Sequence, residues 1–401
     1  MSAAKKAPKG DGLLPKELSE SWSKIGYGLG ALGVVALLAG YFGSPDKGRF
    51  GAAYLVGFMF TTTIGIGALF MTIIQHLTKA GWSVAPRRLL EWVAQGLIAS
   101  VVLFLPLFVM SHDVWHHWMG EHAQHDKILQ GKAAFLNPTF FYVRAIVYLL
   151  AWALLAMWFY KQSREQDSSG DKKLSEKMQA AAAPATAVMA LTTSFAGFDW
   201  LMSLDPHWYS TIFGVYIFAG SLISSMATLA LLVVRMRKAG VGGDLLTVEH
   251  QHDVGKFLFG FVVFFAYIGF SQFMLIWYAG IPEETVWYKH RWDGGWSALS
   301  MTIFLGHFVV PFLLLLPRTA KRSPSILSFA SAWILVMHFI DLYWLVMPNF
   351  DHHFSFSWVD IAGLLGPLGI TCAWIAKRCL GDPAYPLRDP YIPEALKAEN
   401  L

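Results

Sequence analysis

The stretch Gly51–Leu77, GAAYLVGFMFTTTIGIGALFMTIIQHL, decides the fold of this chain. It contains no Asp, Glu, Lys or Arg. A helix needs about 20 mainly apolar residues to cross the hydrocarbon core of a bilayer. The stretch therefore predicts a membrane-spanning helix.

Nine other stretches are also long and apolar enough to span, so ten membrane helices are expected. The predicted bounds are 25–43, 51–77, 89–111, 138–160, 181–203, 209–234, 255–280, 296–316, 325–347 and 358–376. Gly and Pro inside several of them are tolerated where neighbouring helices satisfy the freed backbone groups. A membrane β-barrel would show alternating segments of about ten residues instead. The sequence predicts an all-α polytopic membrane protein of about ten transmembrane helices.

The composition agrees with a membrane protein. Of the 401 residues, 55% are hydrophobic and 14% are charged, whereas about 25% of an average soluble domain is charged. Many of the aromatic residues lie near the ends of apolar runs, where membrane interfaces favour them. The formal net charge of +4 is too small and too dispersed for nucleic-acid binding.

The distribution of Lys and Arg predicts the orientation. Of the 31 such residues, 24 fall in the N-terminal tail, the C-terminal tail and the loops on their side of the membrane. Because cytoplasmic loops carry an excess of Lys and Arg, both termini are expected in the cytoplasm. The chain then divides into a cytoplasmic tail at 1–24, a single transmembrane domain at 25–380 and a cytoplasmic tail at 381–401.

The loop charges also suit an arrangement in two halves. Helices 2–5 and 6–9 are expected to form two four-helix bundles, with helices 1 and 10 outside them. No strong internal sequence identity accompanies this pattern.

The motifs that hold redox cofactors do not occur in the sequence. Cys372 and Cys379 are spaced neither as a zinc pair nor as a haem-attachment motif, and they are too few for an iron–sulfur cluster. No helix carries the histidine pair of a two-haem cytochrome b, and no Walker-type phosphate loop appears. The chain is therefore expected to bind no metal, and the two cysteines to be reduced packing residues.

Ionisable side chains at membrane depth are the first site candidates, because each costs several kcal/mol unless it is paired or hydrated. Arg144 lies about two turns into helix 4 and cannot lose its proton. Asp199, near the same end of helix 5, is its natural partner. The pair is either part of a proton path or a structural ion pair.

A second group lies on helices 8 and 9. His338 and Asp341 are three residues apart, so they share a helix face, and His307 could face them. A carboxylate beside a histidine makes a proton relay possible. The trio is the best sequence candidate for a proton path or a quinol site, with interhelical hydrogen bonding as the alternative. His76 and Gln272 are weaker candidates.

A histidine-rich segment, SHDVWHHWMGEHAQHD, follows helix 3 at residues 111–126. Histidine is the commonest metal ligand, but these spacings match no compact metal site. A wet surface that docks a partner or caps the bundle is the favoured interpretation of residues 112–125.

The stretch Phe195–Ala219, FAGFDWLMSLDPHWYSTIFGVYIFA, joins helices 5 and 6 through a short turn at Asp205-Pro206. It resembles ActF, a membrane subunit of alternative complex III, a bacterial quinol:cytochrome c or quinol:electron-acceptor oxidoreductase. ActF belongs to the NrfD or polysulfide-reductase membrane-subunit superfamily. Length, helix number and termini fit the same family.

The resemblance implies a place in a large respiratory complex of the bacterial inner membrane. The implied partners are a homologous NrfD-like membrane subunit, a periplasmic iron–sulfur subunit, c-type cytochrome subunits and lipid. Haem c and iron–sulfur clusters would lie on those partners, and a quinone is the one cofactor that this chain could hold. Asp199, Asp205, His207 and Tyr209 match the family stretch, and a proton-path role is carried over for Asp199 alone.

The expected function is thus that of an accessory membrane subunit of a quinol-oxidising complex, not catalytic alone. It would contribute a proton path, a quinone-binding surface, or both. The candidate path residues are Asp199, Arg144, His307, His338, Asp341 and His76. Two alternatives remain, a secondary transporter and a structural membrane anchor. Transporters often have interrupted helices at matching positions in two halves, but the Gly and Pro residues of this chain are not clearly paired in that way.

Overall fold

The computed structural model describes residues 11–399, with the side chain of His122 excluded. The predicted tail residues 1–10 and 400–401 lie outside the described residues. The described chain is almost entirely helical and contains no strand. Ten helices are long and apolar enough to cross a membrane: α1 Lys16–Gly43, α2 Lys47–Leu77, α3 Gly81–Val109, α4 Pro138–Ser169, α5 Lys172–Leu204, α6 Phe213–Lys238, α7 Gly243–Ala279, α8 Trp296–Leu315, α9 Pro324–Asn349 and α10 Trp358–Cys379. The predicted all-α membrane fold is confirmed.

Both described ends of the chain lie on the same face of the helical assembly. The backbone N–H of Ala384 donates to the carbonyl of Gly12 over 2.8 Å. This face is called the terminal face, and the opposite one the loop face. Short helices connect spans on both faces: Lys127–Lys132, Pro282–His290 and Arg318–Arg322. A further short helix, Ile392–Lys397, follows α10.

Several helices begin earlier than hydropathy indicated. Helix α1 begins at Lys16 instead of residue 25, and α3 begins at Gly81 instead of residue 89. The extra turns carry charged residues that a hydropathy window assigns to loops. In α3 these charges are buried in ion pairs, so they are compatible with a helix inside the protein.

Helices α2 and α6 form the centre of the molecule, since most of their apolar segments are buried. Helix α2 packs against α3, α5, α6 and α10, and α6 packs against α5, α7 and α9. Helix α1 lies at the periphery and packs mainly on α10. The grouping into helices 2–5 and 6–9 stays a prediction.

The contact between α2 and α6 depends on Gly67. A Cβ atom there would lie 1.9 Å from the carbonyl oxygen of Ser221, a backbone atom that cannot rotate away. We expect Gly67→Ala to lower the free energy of unfolding by about 1–3 kcal/mol, as overpacking does. Gly260→Ala on α7 is the matched control, because nothing lies within 4 Å of its Cβ position. Unfolding in mixed micelles measures both, and equal stability of the two variants would refute this close approach.

Candidate functional site

Arg144 and Asp199 form an ion pair between α4 and α5. Nε and one terminal nitrogen of the guanidinium each lie 2.7 Å from a carboxylate oxygen of Asp199. Arg144 also donates to the carbonyl of Phe135, and its charge lies 3.9 Å and 4.2 Å from the ring centres of Phe135 and Phe140. The predicted pairing is confirmed, and whether it carries protons stays a prediction.

The environment of Asp199 favours the structural interpretation of this pair. Asp199 is completely buried, and the Tyr148 hydroxyl donates to it over 2.8 Å in addition to the two bonds from Arg144. Three hydrogen bonds, two of them from a guanidinium, thus fix the carboxylate of Asp199 between α4 and α5.

His338 and Asp341 lie on the buried side of α9, where α2, α6 and α9 meet. Nε2 of His338 lies 2.8 Å from the hydroxyl of Thr63 on α2. The hydroxyl of Tyr216 on α6 donates to Asp341. Tyr216, Asp341, His338 and Thr63 therefore form a set of polar groups that connects three helices; it is called the central polar set.

His307 on α8 lies next to this set. Its ring centre is 6.4 Å from that of His338 and 4.3 Å from that of Phe265. Neither ring nitrogen bonds to a protein atom within residues 11–399. The structure thus places His307 beside His338. Within the described residues no hydrogen bond joins His338 to Asp341, because Nδ1 of His338 has no protein partner and its Nε2 lies against Thr63.

The backbone around His307 is irregular. Residues Ile303–Val309 form a π-helical turn, and Pro311 follows. Proline lacks an N–H, and its ring clashes with the carbonyl four residues earlier, here that of His307. Such turns inside α-helices occur frequently at functional sites. Trp333 of α9 donates to the carbonyl of Gly306 over 2.7 Å, which satisfies one of the freed acceptors.

A cavity of about 880 Å³ lies beside the central polar set. It is bounded by α7, α8 and the loop helix Pro282–His290, and its lining is mainly aromatic and aliphatic. Several lining side chains, including Tyr267, Phe270 and Trp277, are more than half exposed on the outer surface of the assembly. The cavity therefore opens toward the position of lipid.

The few polar groups of the cavity lie toward the loop face. The side-chain amide of Gln272 donates to the Tyr288 hydroxyl over 3.2 Å and accepts from Ser210 over 3.2 Å. Ser300 accepts from the Trp344 indole over 2.9 Å. Tyr216 belongs both to the cavity lining and to the central polar set, so it links the two.

A buried cation lies behind this polar end. Arg291 is nearly inaccessible and donates to the carbonyls of Trp287 and Leu345. Its guanidinium carbon lies 3.4 Å from the ring centre of Trp287. Burial lowers the pKa of Arg291 to about 9, so the side chain remains charged at neutral pH and contributes a positive potential near the polar end of the cavity.

His76 is remote from these residues. It lies thirteen residues along α2 from Thr63, a rise of about 20 Å, and stacks on Phe159 near the terminal face. It therefore belongs to a different part of the molecule from the central polar set.

The histidine-rich segment lies on the loop face. The rings of His116 and His117 are 4.1 Å apart, and Nε2 of His207 lies 2.6 Å from Asp126. The hydrogen bond from His207 is the main cause of a lowered pKa of Asp126. Among the described side chains, no group of three or more His, Cys, Asp or Glu residues has an arrangement that could hold a metal ion; the side chain of His122 is not described.

No family model matches the chain, and no curated protein matches it. The resemblance to ActF therefore stays a prediction that rests on the residues of the stretch Phe195–Ala219.

Proposed function

We propose that the chain is a membrane subunit of a quinol-oxidising respiratory complex of the alternative complex III type. In this proposal it holds a quinone ring in the cavity between α7 and α8 and carries protons through the central polar set. The terminal face would lie in the cytoplasm of a bacterium, as the Lys and Arg distribution predicts. The observation that carries the proposal is the link from a lipid-open cavity, through Tyr216, to the buried acid Asp341.

The chemistry of the cavity suits a quinone. A quinone has an apolar tail, a flat ring and two oxygens that need hydrogen-bonding partners. Ligand cavities with mostly apolar linings and a few well-placed polar groups match such molecules, and the volume is within the usual range of about 300–1,000 Å³. Aromatic side chains would contact the ring, and Gln272 and Tyr288 lie where they could reach an oxygen.

Oxidation of a quinol to a quinone releases two electrons and two protons. The electrons would pass to the iron–sulfur and haem groups of the partner subunits, since the sequence of this chain lacks motifs for them. One proton could be passed by the Tyr216 hydroxyl to Asp341, and the other could leave directly toward the loop face. A positioned carboxyl group within hydrogen-bond reach is the usual acceptor in such transfers.

Ala266→Trp tests the quinone part of this proposal. Ala266 lines the cavity, and an indole there would occupy much of the space for a ring. We expect the purified variant to retain no more than about one tenth of the quinone that the unmodified protein retains, because a filled cavity excludes the ligand. Solvent extraction followed by chromatography measures the retained quinone.

Leu275→Trp on the same helix is the matched control. Leu275 is 59% exposed and faces away from the cavity lining, so this variant should retain quinone normally. Equal retention by both variants would argue against the cavity as the quinone site. Uptake of a small solute together with an ion by the isolated chain would favour the transporter alternative instead.

A further inference from the structure

A second group of buried polar residues lies near the terminal face, between α2, α3 and α4. It is called the terminal-face cluster, and its members are Gln75, His76, Arg87, Arg88, Glu91, Gln95, Gln162 and Asp167. All are less than one-tenth exposed. Glu91, at 2% exposed, lies one helical turn further from the terminal face than Arg87, and its carboxylate is 2.9 Å from Nε of Arg88.

The buried charges of this cluster do not balance. Arg87 pairs with Glu91 and with Asp389, and Arg88 pairs with Glu91 and Asp167. Two buried guanidiniums thus face three buried carboxylates. Arg164 also pairs with Asp167, but it is partly exposed and shares its charge with Asp382. An excess buried carboxylate is most easily neutralised by binding a proton.

The neutral members of the cluster need partners that the protein does not supply. Within residues 11–399, neither side-chain atom of Gln75 makes a hydrogen bond to protein, and the same holds for Nε2 of His76 and Oε1 of Gln95. Buried polar groups nearly always have a partner, and ordered water is the usual one where several such groups meet.

Several of these side chains contact neighbouring residues of α4. His76 stacks on Phe159 of α4 with ring centres 5.6 Å apart, and Gln95 donates to the carbonyl of Ala156, about one turn away on the same helix. Gln162, one turn beyond Phe159, leaves Oε1 without a protein partner among the described residues. The unpartnered atoms of His76, Gln95 and Gln162 therefore lie along one stretch of α4, at residues 156–162.

The C-terminal segment covers this region from the terminal face. Asp389 pairs with Arg87, and the backbone N–H of Leu387 donates to Asp167 over 2.9 Å. Further along, Glu394 lies against Gly81 at the start of α3. Residues 382–397 thus lie between the cluster and the solvent.

We propose that the terminal-face cluster is a water-holding chamber in which Glu91 binds and releases a proton, and that residues 382–397 cover it. The proposal rests on the proposed function only in that the proton would serve quinol turnover. Arg87 and Arg88 would stabilise the carboxylate of Glu91 after the proton leaves, and His76, Gln75 and Gln95 would bind the water that conducts the proton. Breaking the Asp389 contact would open the chamber.

Hydroxyl-radical labelling tests the chamber without any enzymatic assay. Radicals formed by X-rays from bound water modify the side chains next to that water. Phe159 and Phe58 are equally inaccessible, at 1% and 0%, but only Phe159 lies against the cluster. Mass spectrometry of the full chain should find at least about fivefold more labelling at Phe159 if water fills the region. Equal labelling would overturn the chamber.

Infrared spectroscopy of the full chain tests Glu91. The unmodified protein should show a protonated-carboxyl band that shifts in heavy water, and Glu91→Gln should lose that band. Asp389→Asn keeps Glu91 but weakens the cover, so the band should shift about tenfold faster than in the unmodified protein. A band unchanged in Glu91→Gln would overturn the role of Glu91, and an unchanged rate in Asp389→Asn would overturn the role of the cover. Neither infrared result depends on quinol oxidation. If the complex did not oxidise quinol, that result would contradict the proposed function but not the chamber.

Discussion

Asp199→Ala is expected to lower the free energy of unfolding by about 3–5 kcal/mol, the usual cost of removing one partner of a buried ion pair. The variant would leave Arg144, at 8% exposed, without its carboxylate. The two aromatic rings and the Phe135 carbonyl would remain, but they do not neutralise the charge. Reversible unfolding in mixed micelles measures the loss.

A double variant separates the charge from the packing. Arg144→Met with Asp199→Leu removes both charges and keeps apolar volume in the same place. Replacing a whole buried ion pair by apolar groups is often neutral or stabilising, so most of the lost stability should return. If the double variant were as unstable as Asp199→Ala, packing rather than the unpaired charge would be the cause.

Asp341→Asn is expected to reduce quinol turnover by the assembled complex about 100-fold, the scale of losing a positioned proton acceptor. The amide keeps the shape of the carboxyl group and can still accept the hydrogen bond from Tyr216, so the fold should be retained. An amide cannot bind and release a proton at neutral pH. Turnover and proton release from the reconstituted complex, measured together, report the effect.

Asp351→Asn is the matched control for this variant. Asp351 lies toward the loop face and pairs with Arg49 over 2.7 Å, and its side chain is partly exposed. Arg49 keeps a second carboxylate, that of Asp360, so the loss should be below about 1 kcal/mol and turnover should change little. If Asp341→Asn and His338→Ala both assembled and turned over normally, the anchor alternative would replace the proton path.

The ten helices could be predicted because hydropathy records a strong physical constraint. Backbone groups in lipid must bond within their own helix, and each span needs about 20 apolar residues. The pairing of Arg144 with Asp199 could be predicted for a similar reason. Two opposite charges at matching depth on consecutive helices have few other ways to be satisfied.

Other parts of the site leave little trace in one sequence. The bond between Tyr216 and Asp341 joins helices 6 and 9, and the order of helices along a chain does not tell which distant pair is in contact. Tyrosine is common near membrane interfaces, so neither Tyr216 nor Tyr288 stands out. The cavity depends on the distance between α7 and α8, which the sequence does not reveal.

Charged residues near the ends of helices are difficult to place from the sequence. Arg87 and Arg88 precede the predicted start of helix 3 at residue 89, and Glu91 lies just inside it, yet all three are buried near the terminal face. Arg49 and Arg291 lie between predicted spans and are also largely buried. A hydropathy window treats each charge as solvent-exposed, whereas paired charges and cations over aromatic rings are accommodated inside the protein.

The central claim is that this chain works inside a quinol-oxidising complex, and its isolation from native membranes tests the claim most directly. The chain would be captured in a mild detergent, and the preparation analysed for haem, iron and quinol oxidation with an added electron acceptor. We predict that haem c and iron–sulfur subunits co-purify and that the preparation oxidises quinol. Recovery of the chain alone, without cofactors and without this activity, would contradict the claim.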